Sequence, residues 1–259
     1  MNLDLLPLLQ VQRELYEIPL GWARFERYLD VMTGGTQDIV LPLAVMNPMG
    51  KPHVAALLDG LIALGAEEVA AAAIVEARQR LARVDGRLRV GLVVADDAQG
   101  GWTDRYLTET SHRFESMGDL ERGWVVVLCW TGKAWSRDTV RDEVLATIYR
   151  TLYRQRHGSP RTLRQMMTQE GLVAAFAGLQ PPTLDVEELA YTREVILPHL
   201  DSTHFPTVFA CLYGDEAAHS VGYPPLGLSP RAGYAVAFDE TREGEVAAEA
   251  VLLRSLGDA

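Results

Sequence analysis

The chain has 259 residues, with 24 Lys and Arg against 35 Asp and Glu, for a formal net charge of −11. About half of it is apolar (48%) and 23% is charged, a globular composition far from that of disordered or disulfide-built chains. Surface scaling lets a chain of 28.6 kDa bury roughly 70–75% of its unfolded surface, so a core needs no covalent staple.

The acidic excess works against phosphate-backbone binding, which rests on clustered Lys and Arg, so no nucleic-acid partner is expected. Cys129 and Cys211 are the two cysteines, too few for a Cys-rich zinc module, and Cys129 inside an apolar run reads as a buried thiol. The first residues lack the basic region of a secretion signal. The most apolar long stretch, 54–77, is interrupted by Asp59, Glu67 and Glu68, which argues against a membrane span. The expectation is a cytoplasmic protein with no membrane partner.

In chain order, Trp22, Phe25, Tyr28, Leu29 and Met32 recur at helical spacing up to Gly34-Gly35. The segment 38–51 holds Pro42 and Pro48 and reads as a connector. Within it and just beyond, MNPMGKPH (46–53) carries one Gly and Lys51 but lacks the spacing of a phosphate-binding loop. Ala- and Leu-rich helices are expected at 53–64 and 67–82, divided by Gly65. Strand-like β-branched runs follow at 87–95 and 123–130. The polar stretch between them offers a candidate binding loop at 100–106, with Gly100, Gly101 and Trp102. From Ser136 onward the chain reads as helical: 138–156 capped by Ser136 or Asp138, then 162–177, 185–197, 205–213 and 232–253. The fold class is α+β, a small mixed sheet followed by a helical half. An N-terminal helical region (1–86) and a second region (87–259) are expected to form one compact unit.

The helices at 138–156 and 162–177 each carry an acid among apolar residues, Glu143 and Glu170. Gly171 follows Glu170 in mid-helix, where Gly costs about 1 kcal/mol relative to Ala, and so marks a close backbone approach or room beside a site. A strand, a helix with a central acid, a helix carrying EGLVAAFA (170–177) and a later YGD…GY segment (213–223) follow in order. Over residues 87–240 this arrangement resembles predicted zinc-dependent proteases of the gluzincin type.

The resemblance implies a zincin-like fold in which the His-Glu-x-x-His helix supplies two His ligands and a general base. The Glu-Gly-Leu-Ala helix supplies a third ligand. Carried onto this chain, it places Glu143 at the base position and Glu170 at the third-ligand position. Asp142 and Ala146 stand where the two His belong. Tyr223 and Tyr234 become cleft-lining candidates, with packing as their other reading. Ala146 has no donor atom, and a carboxylate set without imidazole suits Mg²⁺, Ca²⁺ or Mn²⁺ better than Zn²⁺. Loss of zinc removes about 12 kcal/mol of water activation, which a lone Glu base, contributing about 10²–10⁴-fold, does not replace.

The reading is therefore a degenerate zincin-like protein of bacterial type. It is a non-catalytic pseudo-peptidase with a cleft for a peptide or protein and no expected cofactor. The alternative is a working metal-dependent hydrolase with a relocated zinc or manganese site, using Glu143 as base and Asp142, Glu170 and His219 as ligands. The bland accounts are that Glu143 is a surface ion-pair residue and that Glu170 is a buried acid paired with Arg150 or Arg154.

Overall fold

The computed structural model describes residues 1–98, 103–115, 118–180, 182, 184–243 and 247–254. The loop expected around Gly100, Gly101 and Trp102 falls outside the described residues. The chain divides into two compact units, one of residues 1–109 and 116–148, the other of residues 110–115 and 149–259. Residues 86 and 87 both fall inside the first.

The first unit is built on three parallel strands in the order β1 (Asn2–Leu6), β2 (Arg87–Ala95) and β3 (Trp124–Trp130). Two expectations are corrected here. The sheet is parallel, not mixed, and the 1–86 region supplies one of its strands. β1 is short and Leu-rich, without the β-branched run that marks β2 and β3. It is a strand because pairing with β2, Leu3 beside Leu88 and Leu5 beside Val90, satisfies its backbone.

Parallel neighbours need crossovers. The first crossover holds α1 (Leu9–Leu15), α2 (Trp22–Thr33), α3 (Pro52–Leu64) and α4 (Ala66–Arg80), and the second holds α5 (Arg105–Phe114) and α6 (Gly118–Glu121). The stops behave as expected: α2 and α3 end on Gly34 and Gly65, both left-handed. Every residue of β3 is buried, as in a strand covered on both faces. Trp124, Val126, Leu128 and Trp130 pack in one core cluster with Leu8, Leu15, Tyr28, Leu43 and Met46.

α7 (Arg137–His157) begins in the first unit and ends in the second. Ser136 caps it, its Oγ accepting from Thr139 N while its own backbone N–H donates to Thr139 Oγ1. The elements that follow are α8 (Leu163–Ala177), α9 (Val186–Ile196), a 3₁₀ turn (Leu197–His199), α10 (Phe205–Tyr213), α11 (Asp215–Ser220), α12 (Ala232–Glu243) and α13 (Ala248–Leu253). The helical half is as expected.

α8 opens with a capping box, Thr162 with Gln165, and is buried along most of its length because α10, α12 and α13 pack around it. Among the described residues, no helix is long and apolar enough to cross a membrane.

Candidate functional site

The residues carried over from the metalloprotease pattern do not assemble a metal centre. Asp142, Glu143 and Ala146 lie on the first-unit part of α7, while Glu170, His219, Tyr223 and Tyr234 lie in the second unit. Glu143 Oε1 accepts from Lys133 Nζ at 2.8 Å, and both side chains are about a quarter exposed. Asp142 accepts from Arg141 at 3.0 Å, and Arg141 also reaches Glu76 at 2.8 Å. Burial holds the Asp142 carboxyl above its ordinary value, Arg141 only partly offsetting it. Ala146 is a core methyl.

Because the Glu143–Lys133 pair is half-exposed, Glu143→Gln is expected to lower stability by no more than about 1 kcal/mol in a denaturant titration. A loss above about 2 kcal/mol would show that Glu143 does more than pair at the surface.

Glu170 is bound on all sides. Arg150 grips it with two parallel bonds, Nε to Oε1 at 2.7 Å and Nη2 to Oε2 at 2.9 Å. Arg113 Nη1 donates to Oε2, and Gln169 Nε2 donates to Oε1 at 3.1 Å. The bidentate fork is the strongest geometry open to a carboxylate. Burial pushes the Glu170 carboxyl up, but the two guanidiniums and the bonds from Arg150 and Gln169 more than reverse this and hold it near about 2. Of the two bland accounts, the pairing of Glu170 with Arg150 is what the fold contains; the sequence had not shown Arg113.

Gly171 explains how α8 comes so close to its neighbour. A Cβ there would lie 2.1 Å from Thr241 Oγ1 and 2.4 Å from the Ala237 carbonyl oxygen, both on α12. Tyr234, on the same helix, has Arg113 at 5.3 Å and Arg231 at 5.7 Å from its ring centroid. Tyr223 sits edge-on to Phe205 and Phe209 at 5.9 and 5.4 Å, so packing accounts for it. His219 is an exposed residue of α11.

This donor set does not fit zinc. One ligand position holds a methyl, the second an Asp paired with Arg141, and the third a carboxylate whose lone pairs are taken by cations. Among the described residues, no group of three or more His, Cys, Asp or Glu is placed to hold a metal ion. Cys129 and Cys211 are buried free thiols pushed up by burial, and neither is poised as a thiolate.

A second cluster, not assembled from the sequence, lies at the carboxyl ends of β2 and β3, the end at which open parallel sheets place ligands. Asp96 follows β2 directly and Thr131 follows β3. Asp96 is 2% exposed. Its Oδ1 meets His53 Nε2 at 2.7 Å, Thr131 Oγ1 at 3.2 Å and Ala98 N at 3.3 Å, while its Oδ2 accepts from Asn47 Nδ2 at 2.8 Å. Burial raises this carboxyl, and the bonds from His53 and Asn47 outweigh burial and hold it below the usual range. It is ionised at neutral pH.

His53 must then donate through Nε2, which leaves Nδ1 as an acceptor. That atom is buried and has no hydrogen-bond partner. An orphaned buried acceptor costs about 1–3 kcal/mol. Asp97 stands beside this pair, accepting from Thr131 Oγ1 at 2.9 Å and Gly132 N at 2.6 Å, with Arg105 at 3.5 Å. Two signals for this cluster were present in the chain: the MNPMGKPH segment, and a pair of acids at the end of a strand-like run.

No protein-family model matches the chain, and no solved structure matches it significantly. The chain is 35% identical over 91 residues to the uncharacterized protein YjfC of Bacillus subtilis (strain 168). The match covers 32% of this chain and 30% of that protein, so it spans about a third of each.

Proposed function

We propose that this chain is a degenerate zincin-like protein, a pseudo-peptidase that no longer runs metal-dependent hydrolysis at the Glu143 and Glu170 positions. Its second unit binds a peptide or protein. The observation that carries this reading is the double guanidinium grip on Glu170, a carboxylate turned from ligand to internal counter-ion. Exposed apolar side chains on the same unit, Val186, Tyr191 and Leu197, support a partner-binding surface there. The relocated-metal alternative asks for lone pairs that Arg150, Arg113 and Arg141 already occupy.

Elemental mass spectrometry after dialysis against micromolar zinc and manganese tests the first half. Metal at background level is expected, with a melting temperature indifferent to EDTA. Near-stoichiometric metal that disappears in Glu170→Ala overturns it. For the second half, a random-peptide display library is panned on the immobilised chain. Enriched peptides that no longer bind Leu197→Glu are expected, and a library without enrichment refutes the binding role.

A further inference from the structure

The MNPMGKPH segment, too irregular for a phosphate loop, has a different use in the fold. Its backbone is held from both sides: the Asn47 carbonyl accepts from Tyr16 Oη, and the Gly50 carbonyl accepts from Arg24 Nη1 at 3.3 Å. Gly50 leaves no room for a larger residue, since a Cβ would meet Val54 at 2.7 Å and Tyr16 Oη at 3.0 Å. Pro52 then starts α3 and sets the first turn, which carries His53. The segment thus delivers two side chains, Asn47 and His53, to opposite oxygens of one buried carboxylate.

Asp96 receives four donors and has no lone pair left to act as a base. What it does is fix the tautomer and ring orientation of His53, so that one nitrogen is tied and the other is a bare acceptor. A histidine kept only for structure would have its second nitrogen paired as well. No Ser, Thr or Cys side chain lies within hydrogen-bond distance of Nδ1, so an O–H group reaching it comes from outside the chain.

We propose that His53 and Asp96 form a proton-accepting centre for hydrolysis, with His53 Nδ1 taking the proton of an attacking water and Asp96 as the positioning residue. The substrate is a small uncharged ester. Asp96, Asp97 and Glu109 outnumber Arg105 and the exposed Lys51 at the α3 N-cap, and they disfavour an anion. In the step, Nδ1 takes a proton from water as the water oxygen bonds to the acyl carbon. The bond from that carbon to the leaving oxygen breaks, its electron pair departing with the alkoxide or phenoxide, and Nδ1 then releases its proton to solvent. The inference concerns the first unit and stands apart from the reading of the Glu170 centre.

Two measurements on the whole chain test it. In long-range ¹⁵N–¹H spectra, neutral His53 is expected as the Nε2–H tautomer with Nδ1 unprotonated, turning into a mixture in Asp96→Asn; a protonated Nδ1 overturns the assignment. With p-nitrophenyl acetate as probe, His53→Gln is expected to hydrolyse roughly 10²–10⁴-fold more slowly than the natural chain. Added imidazole is expected to restore part of the rate in His53→Ala, which a merely structural histidine would not allow. Equal rates in the natural chain and His53→Gln, or no rescue by imidazole in a folded His53→Ala, would refute the proposal.

Discussion

Glu170→Gln is expected to lower the stability of the second unit by about 3–5 kcal/mol, the usual cost of removing one partner from a buried ion pair. The amide keeps the shape of the side chain but leaves two guanidiniums, Arg150 and Arg113, facing each other with no compensating charge. A thermal melt should show a fall of roughly 10–20 °C for a unit of this size. The loss belongs to the uncompensated cations and not to the carboxylate itself. Glu170→Leu combined with Arg150→Met and Arg113→Met should therefore recover most of it. A single Glu170→Gln variant as stable as the natural chain would show that the grip contributes nothing.

The same group predicts a pH dependence with a definite sign. The folded-state value near about 2 lies below the ordinary 4.5, so the folded form binds this proton less readily than the unfolded form does. Its contribution is fully present above about pH 4.5 and is lost as the pH falls toward 2. At about 1.4 kcal/mol per unit the contribution is about 3 kcal/mol. Chemical denaturation repeated between pH 6 and pH 2.5 should show this acid limb in the natural chain and a flatter one in Glu170→Gln. Parallel limbs would mean that other carboxylates govern acid unfolding.

Gly171→Ala is expected to cost about 2 kcal/mol or more, although Ala is the better helix former by about 1 kcal/mol. The new methyl would stand 2.4 Å from the Ala237 carbonyl oxygen, which is helix backbone and cannot turn aside. Thr241 is the closer obstacle at 2.1 Å, but its hydroxyl only accompanies that carbonyl, donating to it at 2.9 Å. Adding Thr241→Ala should thus rescue Gly171→Ala in part and never fully. Full rescue, read as midpoint shifts in urea, would place the whole conflict on the threonine and leave the helix spacing unaccounted for.

How far these features were legible depends on the distance over which they act. Gly171 in mid-helix was readable as a sign of close approach, because glycine there has a local cost that something nonlocal must offset. The Glu170–Arg150 pair was readable as one of two candidates, since both residues sit on consecutive amphipathic helices. Arg113 was not, lying 57 positions from Glu170 in a polar stretch without periodicity. Asp96 and His53 are 43 positions apart, and neither has a neighbour in the chain that announces the other. β1 escaped notice because five residues, three of them Leu, carry no strand signal of their own.

By itself the sequence determined the elements whose cause is local. It set the helices that end on Gly34, Gly65 and Gly178, the Ser136 and Thr162 caps, the two β-branched strands and the helical second half. These follow from side-chain entropy, left-handed backbone at glycine and apolar spacing, all contained in a few consecutive residues. Tertiary structure alone decided that the sheet is parallel with β1 at its edge and that Glu170 is a counter-ion to two arginines. It also decided that a proline-bounded connector carries His53 to Asp96. Each of these rests on the need to satisfy a buried backbone or a buried charge, and that need is met by whichever partner the packing brings near, however remote in the chain.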